Sequence, residues 1–588
     1  MGTRTERLCS VDDRCAHDRI GQHRNSVGAS CESRNHRRDG SAAHLGQSDH
    51  LGGQRSYNAA PDIRDGRRDH SFRHLHCYRA NGMNRFPRHR KKRLLAPAFV
   101  SAILSGHSVL GLAVSVLIYV VCLSGTISVF AQELKRWEQP AGPVVREVSP
   151  GAIDRGIADV QARAGGRELG AISVTLPTDA YPRLILVGGS VEDGRQRWLA
   201  DAQGRRVTRE DTRATDFLVS LHASLHLPRL AGLVAVGIIG IALLALLISG
   251  VMAHPRILRE AFTLRWGGSR RLQEADLHNR LGTWGLPFYL MVTLTGAIIG
   301  VFPLMLGGMV STAYKGDFQR AITEIVGPLG HRKDVSVATI PPVDPIIALV
   351  RQREPSARIQ SIEIERPATQ GQSISVIYEI PGQLTHDQRY VFDALGKIES
   401  SSKTTKRSMG AQAVMSLPSL HFGWFGGIWV KISYGLLGLA LCIVTSSGVR
   451  IWLARRSDKG RPAPTWEWLW SATVWGQPSA YAFVACVTMF WSDQKAAYLS
   501  WSIATALSYI TAYLVHKRIV IIVLSRMTLS FMLVVTGIIH LILWNINEGD
   551  SIFLLIDLLL VIGGGLIAIW TFITIRPQTA IGTINEGR

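Results

Sequence analysis

The sequence predicts a mostly α, polytopic membrane protein: a helical bundle of about eight spans carrying two small α+β modules on one side. Three observations predict it. Hydrophobic residues make up 47% of the 588 positions, and they gather in apolar runs near 20 residues, long enough to cross a bilayer. Basic clusters flank those runs and all fall on one side when the spans alternate in direction. Two stretches also share one layout: a histidine at the start of an apolar helix, a polar segment, then a Leu-His dipeptide opening the next apolar helix. The first copy runs from His107 to Leu221-His222 and the second from His278 to Leu420-His421. Such repetition in one orientation marks a tandem duplication, with a core of four helices.

Residues 1–82 read unlike the rest. They are rich in Arg, His, Ser, Asp and Gly, show almost no apolar periodicity, and hold Cys9, Cys15, Cys31 and Cys77. That composition cannot bury enough apolar area to order itself, so a disordered or spurious extension is expected, with the working protein beginning near Met83. Residues 83–130 hold the first span, at about 100–130. Arg88, Arg90, Lys91, Lys92 and Arg93 before it place its start in the cytoplasm, and its length marks an anchor instead of a removed signal peptide.

Residues 217–306 hold the second and third spans, at about 218–253 and 277–306, around a cytoplasmic loop with Arg256, Arg259, Arg265, Arg270 and Arg271. Residues 416–456 hold the fourth, at about 428–453, ending among Arg450, Arg455 and Arg456. The C-terminal region, 457–588, adds four spans at about 469–491, 496–515, 527–544 and 552–575, with an acidic loop over 545–550 outside. Cys122, Cys442 and Cys486 fall inside apolar helices and read as small buried hydrophobes. The formal charge of +21 would suit nucleic acid, but the basic residues lie in the N-terminal tract or flank spans. They form no folded basic face, which argues against nucleic acid as a partner.

The two outer segments, 131–216 and 307–415, share a pattern. In the first, a helix over 149–165 opens with Ser149-Pro150, a suitable cap and first-turn pair. Strands follow at 171–176 and 183–187. In the second, the helix is 342–353 and the strands are 359–364 and 374–378. Each copy then carries Asp-Ala-x-Gly, beginning at Asp201 and at Asp393, which suits a tight turn between strands.

An imidazole in or beside hydrocarbon is costly unless it faces the bundle interior and has a partner. By expected depth, His107, His254 and His278 lie near the cytoplasmic face, and His222, His226 and His421 near the outer face. Two levels of histidine are what a pair of membrane b haems needs. Each iron takes two neutral imidazoles from different helices, and each ring is oriented through its other nitrogen. The outer pair is most simply His222 with His421, and His226, one turn from His222, is the alternative. The inner site has His107, His254 and His278 for two places, and sequence does not choose among them. Gly106, Gly111, Gly125, Gly282, Gly285, Gly296, Gly300, Gly423, Gly426 and Gly427 would let backbones approach one another or a flat macrocycle. His516 and His540 have no counterpart in the repeat and read as structural.

Several of these stretches are recognisable. Phe217-Leu-Val-Ser-Leu-His222, Ser249-Gly-Val-Met-Ala-His254, Phe262-Thr-Leu-Arg265, Asp276-Leu-His278, Leu286-Pro-Phe288, Thr295-Gly296 and Leu420-His421-Phe-Gly423 resemble the PepSY-associated transmembrane family of iron-regulated membrane proteins. Members related to the ferric-siderophore (ferrioxamine) reductase of Gram-negative bacteria are the most similar. The resemblance covers about residues 95–456. It implies a multi-pass reductase of the bacterial inner membrane with periplasmic PepSY-like modules and two b haems. Such a protein would reduce ferric-siderophore iron to ferrous iron for uptake. The same resemblance offers His107, His222, His254, His278 and His421 as iron ligands. The N-terminal tract and the spans after about residue 465 depart from the family's simplest members.

The partners implied are a ferric siderophore, membrane lipid, a quinol or protein electron donor, and components of an iron-uptake transporter. No catalytic acid or nucleophile is needed. No strand–GxGxxG–helix unit offers a dinucleotide site, since Gly563-Gly564-Gly565 lies inside an apolar run. The rival readings are a non-enzymatic binding or regulatory protein, a haem conduit to another acceptor, and a metal transporter.

Overall fold

A computed structural model describes residues 96–254, 269–325, 334–385, 388–402, 408–544 and 550–585, with backbone alone from 576 onward. The expected extension over 1–82, the start near Met83, the basic cluster at 88–93, Phe262, and Arg256, Arg259 and Arg265 lie outside the described residues, as do 545–549 of the acidic loop.

Among the described residues, six helices are long and apolar enough to cross a membrane. They are α1 (Pro97–Ser128), α5 (Arg229–Ala253), α7 (Leu286–Thr312), α11 (Gly427–Asp458), α14 (Arg518–Leu543) and α15 (Ile552–Asn585). Two more expected spans exist as helices, α12 (Pro464–Thr488) and α13 (Gln494–Val515), but fall short in composition. The expectation of about eight spans is therefore corrected to six candidates. Thr473, Gln477, Ser479 and Thr488 of α12 are buried beside Trp470, Tyr481 and Val484. A helix enclosed by neighbours bonds its polar side chains to them and needs no apolar surface for lipid.

Two of the expected long helices are broken. Leu225 and His226 take left-handed backbone with φ of 51° and 57°, and Pro228 follows. The second span thus divides into α4 (Arg213–Ser224) and α5. Gly285 divides the third into α6 (Arg270–Trp284) and α7; the fourth is continuous as expected, and the Gly423–Gly427 stretch separates α10 (Met409–Phe422) from α11. Glycines set the closest crossing. A Cβ on Gly237 of α5 would stand 2.8 Å from the Gly300 carbonyl carbon of α7, so no larger residue fits there.

The outer segments do not form two separate modules. β1 (Ile172–Thr175), β2 (Leu184–Gly188), β3 (Gln196–Ala200) and β4 (Arg206–Arg209) come from the first. β5 (Arg358–Glu365), β6 (Ser373–Glu379), β7 (Gln388–Phe392) and β8 (Ile398–Ser402) come from the second. All eight make one antiparallel sheet in the order β4-β3-β2-β1-β5-β6-β7-β8. The halves join where β1 pairs β5, with Val174 opposite Ile362. Each half alone would expose that edge, and pairing removes the liability from both.

Two helices cover one face, α3 (Ala152–Ala164) and α9 (Val343–Arg353). Val160, Ile172, Val174, Leu186, Ile347, Val350, Ile362 and Val376 form the core between the layers, each worth roughly 1.5–3 kcal/mol of burial. Ser149 does not cap α3. Instead Asp344 accepts from the Gly151 amide, and Asp154 accepts from the Val343 amide at 2.6 Å, so each repeat caps the other's helix. The expected turns are present: Asp201 Oδ1 accepts from the Gln203 and Arg205 amides, and Asp393 Oδ1 from those of Leu395 and Lys397.

Candidate functional site

The duplicated units put four histidines into the bundle as two pairs. His222, near the end of α4, lies against α1, and its Nδ1 is 2.9 Å from the Val121 carbonyl oxygen. His421, near the end of α10, lies against α7 in the same way. Its Nδ1 is 3.0 Å from the Val292 carbonyl oxygen and 3.1 Å from Thr295 Oγ1. The two ring centroids are 6.0 Å apart and the ring planes 18° from parallel.

The second pair lies at the other end of the bundle. His107 of α1 places Nδ1 2.9 Å from Ser249 Oγ of α5. His278 of α6 places Nδ1 2.9 Å from the Val444 carbonyl oxygen and 3.1 Å from Ser447 Oγ, both on α11. Their centroids are 6.5 Å apart and their planes perpendicular. Along α1, His107 and the Val121–Gly125 turn that meets His222 are separated by about 21–27 Å at an α-helical rise of about 1.5 Å per residue. The pairs therefore occupy two levels of a slab about 30 Å thick.

Hydrogen bonding fixes the tautomer of all four rings. A carbonyl oxygen only accepts, so Nδ1 of His222, His278 and His421 carries the proton. Ser249 spends its hydroxyl proton on the Leu246 carbonyl, so it too accepts from the ring of His107. In the neutral ring each Nε2 then keeps its lone pair, and none makes a hydrogen bond among the described residues. A metal–imidazole bond of about 2 Å on each side, plus about 1 Å from nitrogen to ring centre, puts two axial imidazoles about 6 Å apart. Both pairs have that spacing.

A glycine lies against every ring, and at His222 and His421 no larger residue would leave room. A Cβ on Gly125 or on Gly296 would stand 2.6 Å from Cε1 of His222 or His421 respectively. On Gly250 it would meet His107 at 3.5 Å, and on Gly448 it would meet His278 at 3.3 Å. Gly250 and Gly448 escaped the sequence reading, although a signal was there. Ser249-Gly250-Val251 repeats as Ser447-Gly448-Val449, and Val121-x-Leu123-Ser124-Gly125-x-Ile127 repeats as Val292-x-Leu294-Thr295-Gly296-x-Ile298. The inner pair opens on a cavity of about 370 Å³ lined by leucines, Val449, Trp452, Asn279 and Arg455.

The other expected residues lie apart from these pairs. His226 packs on Phe217 and Tyr498 with centroids at 4.4 and 4.7 Å, and neither ring nitrogen has a partner. It faces α13, away from His421. His254 ends α5 and lines the inner cavity, with a buried Nδ1 that lacks a partner. His540 bonds Asp557 and the Trp137 carbonyl oxygen at 2.8 Å each, and His516 closes α13 against Trp468. Among the described residues no group of three or more His, Cys, Asp or Glu side chains converges on a common point.

The outer pair is braced from the sheet side. Glu138 ends α2 (Ala131–Glu138) and accepts from the Ala214 and Thr215 amides at 2.8 Å each, so it caps the helix that carries His222. Burial pushes its carboxyl up to about 7 against the pull of those donors.

An uncharacterized protein of Pseudomonas aeruginosa is 28% identical over 255 residues, which is 42% of this chain and 64% of that relative. The chain thus spans just under two thirds of the relative it matches. The model of the PepSY-associated TM region matches residues 104–455, from just before His107 to Arg455. With well over half of its length matched, both histidine pairs included, this multi-pass membrane protein belongs to the PepSY-associated TM region family.

Proposed function

We propose that the chain is an inner-membrane di-haem b reductase that delivers electrons to ferric iron held by a siderophore on the periplasmic side, releasing ferrous iron for uptake. One observation carries the reading: two pairs of neutral imidazoles, each at axial-ligand spacing, at two levels of one bundle. Iron protoporphyrin bound at each pair would supply one-electron carriage. His107 with His278 would hold the inner group, and His222 with His421 the outer one. The carbonyl and hydroxyl partners orient the rings and keep Nε2 free for the metal. Leu243, Leu246 and Leu441 keep water from the inner cavity, while Arg455 and Asn279 suit the carboxylates such a macrocycle carries.

Sidedness follows from charge. Arg270, Arg271, Arg455 and Arg456 stand at the end that holds the inner pair, the sheet follows the opposite ends of the spans, and basic residues favour the cytoplasm. A quinol or a protein partner supplies the electrons. Pairs of histidines, with no three-ligand group among the described residues, favour haem over a transported metal ion.

The purified protein, reduced with dithionite, is expected to show a sharp b-type α band and to yield about two extractable haems per chain. Absence of both removes the reading. Reduction of a ferric siderophore added outside proteoliposomes then separates a reductase from a conduit to another acceptor. Gly296→Ala tests the cradle. The new methyl, at 2.6 Å from His421 Cε1, would turn the ring off its carbonyl, so haem content is expected to fall toward one per chain. Unchanged content and spectrum would mean the ring is not held there.

A further inference from the structure

Arg526 lies about 12 Å into the apolar helix α14, counting eight residues from Arg518 at an α-helical rise. Its guanidinium carbon is 3.7 Å from the ring centroid of Trp570 and 4.5 Å from that of Trp475. Nε is buried without a hydrogen-bond partner, and no carboxylate pairs with Arg526 among the described residues. The two indole faces attract a cation but do not neutralise it, and an uncompensated charge in a span is costly.

Its surroundings deepen the imbalance. Arg450 acts on Arg526 electrostatically, and Arg518 lies within reach of Arg450, Arg270, Glu274 and Glu467. Glu274 is already taken by Arg450 at 3.1 Å. Within this group four arginines thus face two glutamates. We infer that this end of the C-terminal helices binds the phosphate of an anionic phospholipid, held by Arg526 where it lies over the Trp475 and Trp570 rings.

Geometry and charge both favour lipid as the source of that phosphate. A helical side chain leans toward its own N-terminus, so Arg526 reaches back toward the inner headgroup layer, where tryptophans also concentrate. Trp570 is 44% exposed, beside exposed Ile569, Phe572 and Ile573 on the outer face of α15, so the cage opens toward lipid. A quinol would bring no charge and leave the excess in place. The inference is independent of whether haem binds.

The full chain, extracted in mild detergent and exchanged into mixed micelles, is expected to retain about one phosphatidylglycerol by native mass spectrometry and no phosphatidylcholine. Its thermal midpoint should rise by several degrees with phosphatidylglycerol only. Arg526→Gln should lower retention at least fivefold and abolish the rise. Should that variant fail to fold, Trp570→Leu opens the cage and should weaken retention while the wild-type lipid comparison stands by itself. Equal retention by wild type and variants overturns the proposal. So does the same midpoint shift with millimolar inorganic phosphate, which would assign the site to a soluble anion. Loss of a co-purified quinone instead of phospholipid on Arg526→Gln overturns it as well.

Discussion

Alanine at His222 or His421 is expected to remove about one haem equivalent per chain while leaving the inner centre's absorbance in place. Alanine at His107 or His278 should lower inner haem content while leaving the outer centre's absorbance in place. The expectation rests on isolation of the pairs. No third ring nitrogen stands at the outer site: His226 is turned onto Phe217 and Tyr498, so His226→Ala should keep both haems. The inner site differs, because His254 lines the same cavity. Loss at His107 or His278 is therefore expected to be partial where loss at His222 is complete, and only the double change with His254→Ala should empty it fully. Pyridine haemochrome content per chain, with the reduced spectrum, reads every one of these variants. Two haems remaining in His222→Ala and His421→Ala, with unchanged band shape, would refute the outer assignment.

Much of this site was legible because duplication writes it twice. His107 and His278 open matching units and His222 and His421 close them, so their two depths followed from the repeat alone. Pairing did not follow, because it depends on where helices break. A sequence read as one long helix from 218 to 253 carries His222 and His226 on one face. The left-handed turn at Leu225 and His226 instead ends α4 and rotates His226 to the other side. The sheet was half legible: strands and Asp-Ala-x-Gly turns are local, whereas the β1–β5 pairing joins segments nearly 190 residues apart and leaves no local mark. Polarity of α12 was visible in its composition, but its meaning was not, since only its neighbours show that it is enclosed by protein.

Asp550→Ala is expected to be the most destabilising single change outside the bundle core. Asp550 sits before α15 and receives two guanidinium groups: Arg136 through Nε at 2.9 Å and also through Nη2, and Arg183 through Nη2 at 3.0 Å. The Arg183 side chain is 1% exposed and that of Asp550 2%. Removing the carboxylate strands two cations, one fully buried, at a cost on the order of 3–5 kcal/mol. Asp550→Asn, which keeps an acceptor, should lose less.

Burial opposes ionisation of Asp550, but Arg136 and Arg183 win and hold its carboxyl below the ordinary range. A depressed carboxylate pKa gives stability that is present above the unfolded value and lost as pH falls through the folded one. Wild type should therefore lose this contribution only below about pH 4, and Asp550→Ala should flatten that acid limb. The tie also reaches the outer histidines. Arg136 and Trp137 belong to α2, whose last residue Glu138 caps the helix carrying His222. Undocking α15 from α2 should loosen that cap, so outer haem is expected to be lost on heating before inner haem in Asp550→Ala. A thermal midpoint within a degree of wild type would show that the buried triad contributes no net stability, and that the C-terminal helices are held to the sheet by other contacts.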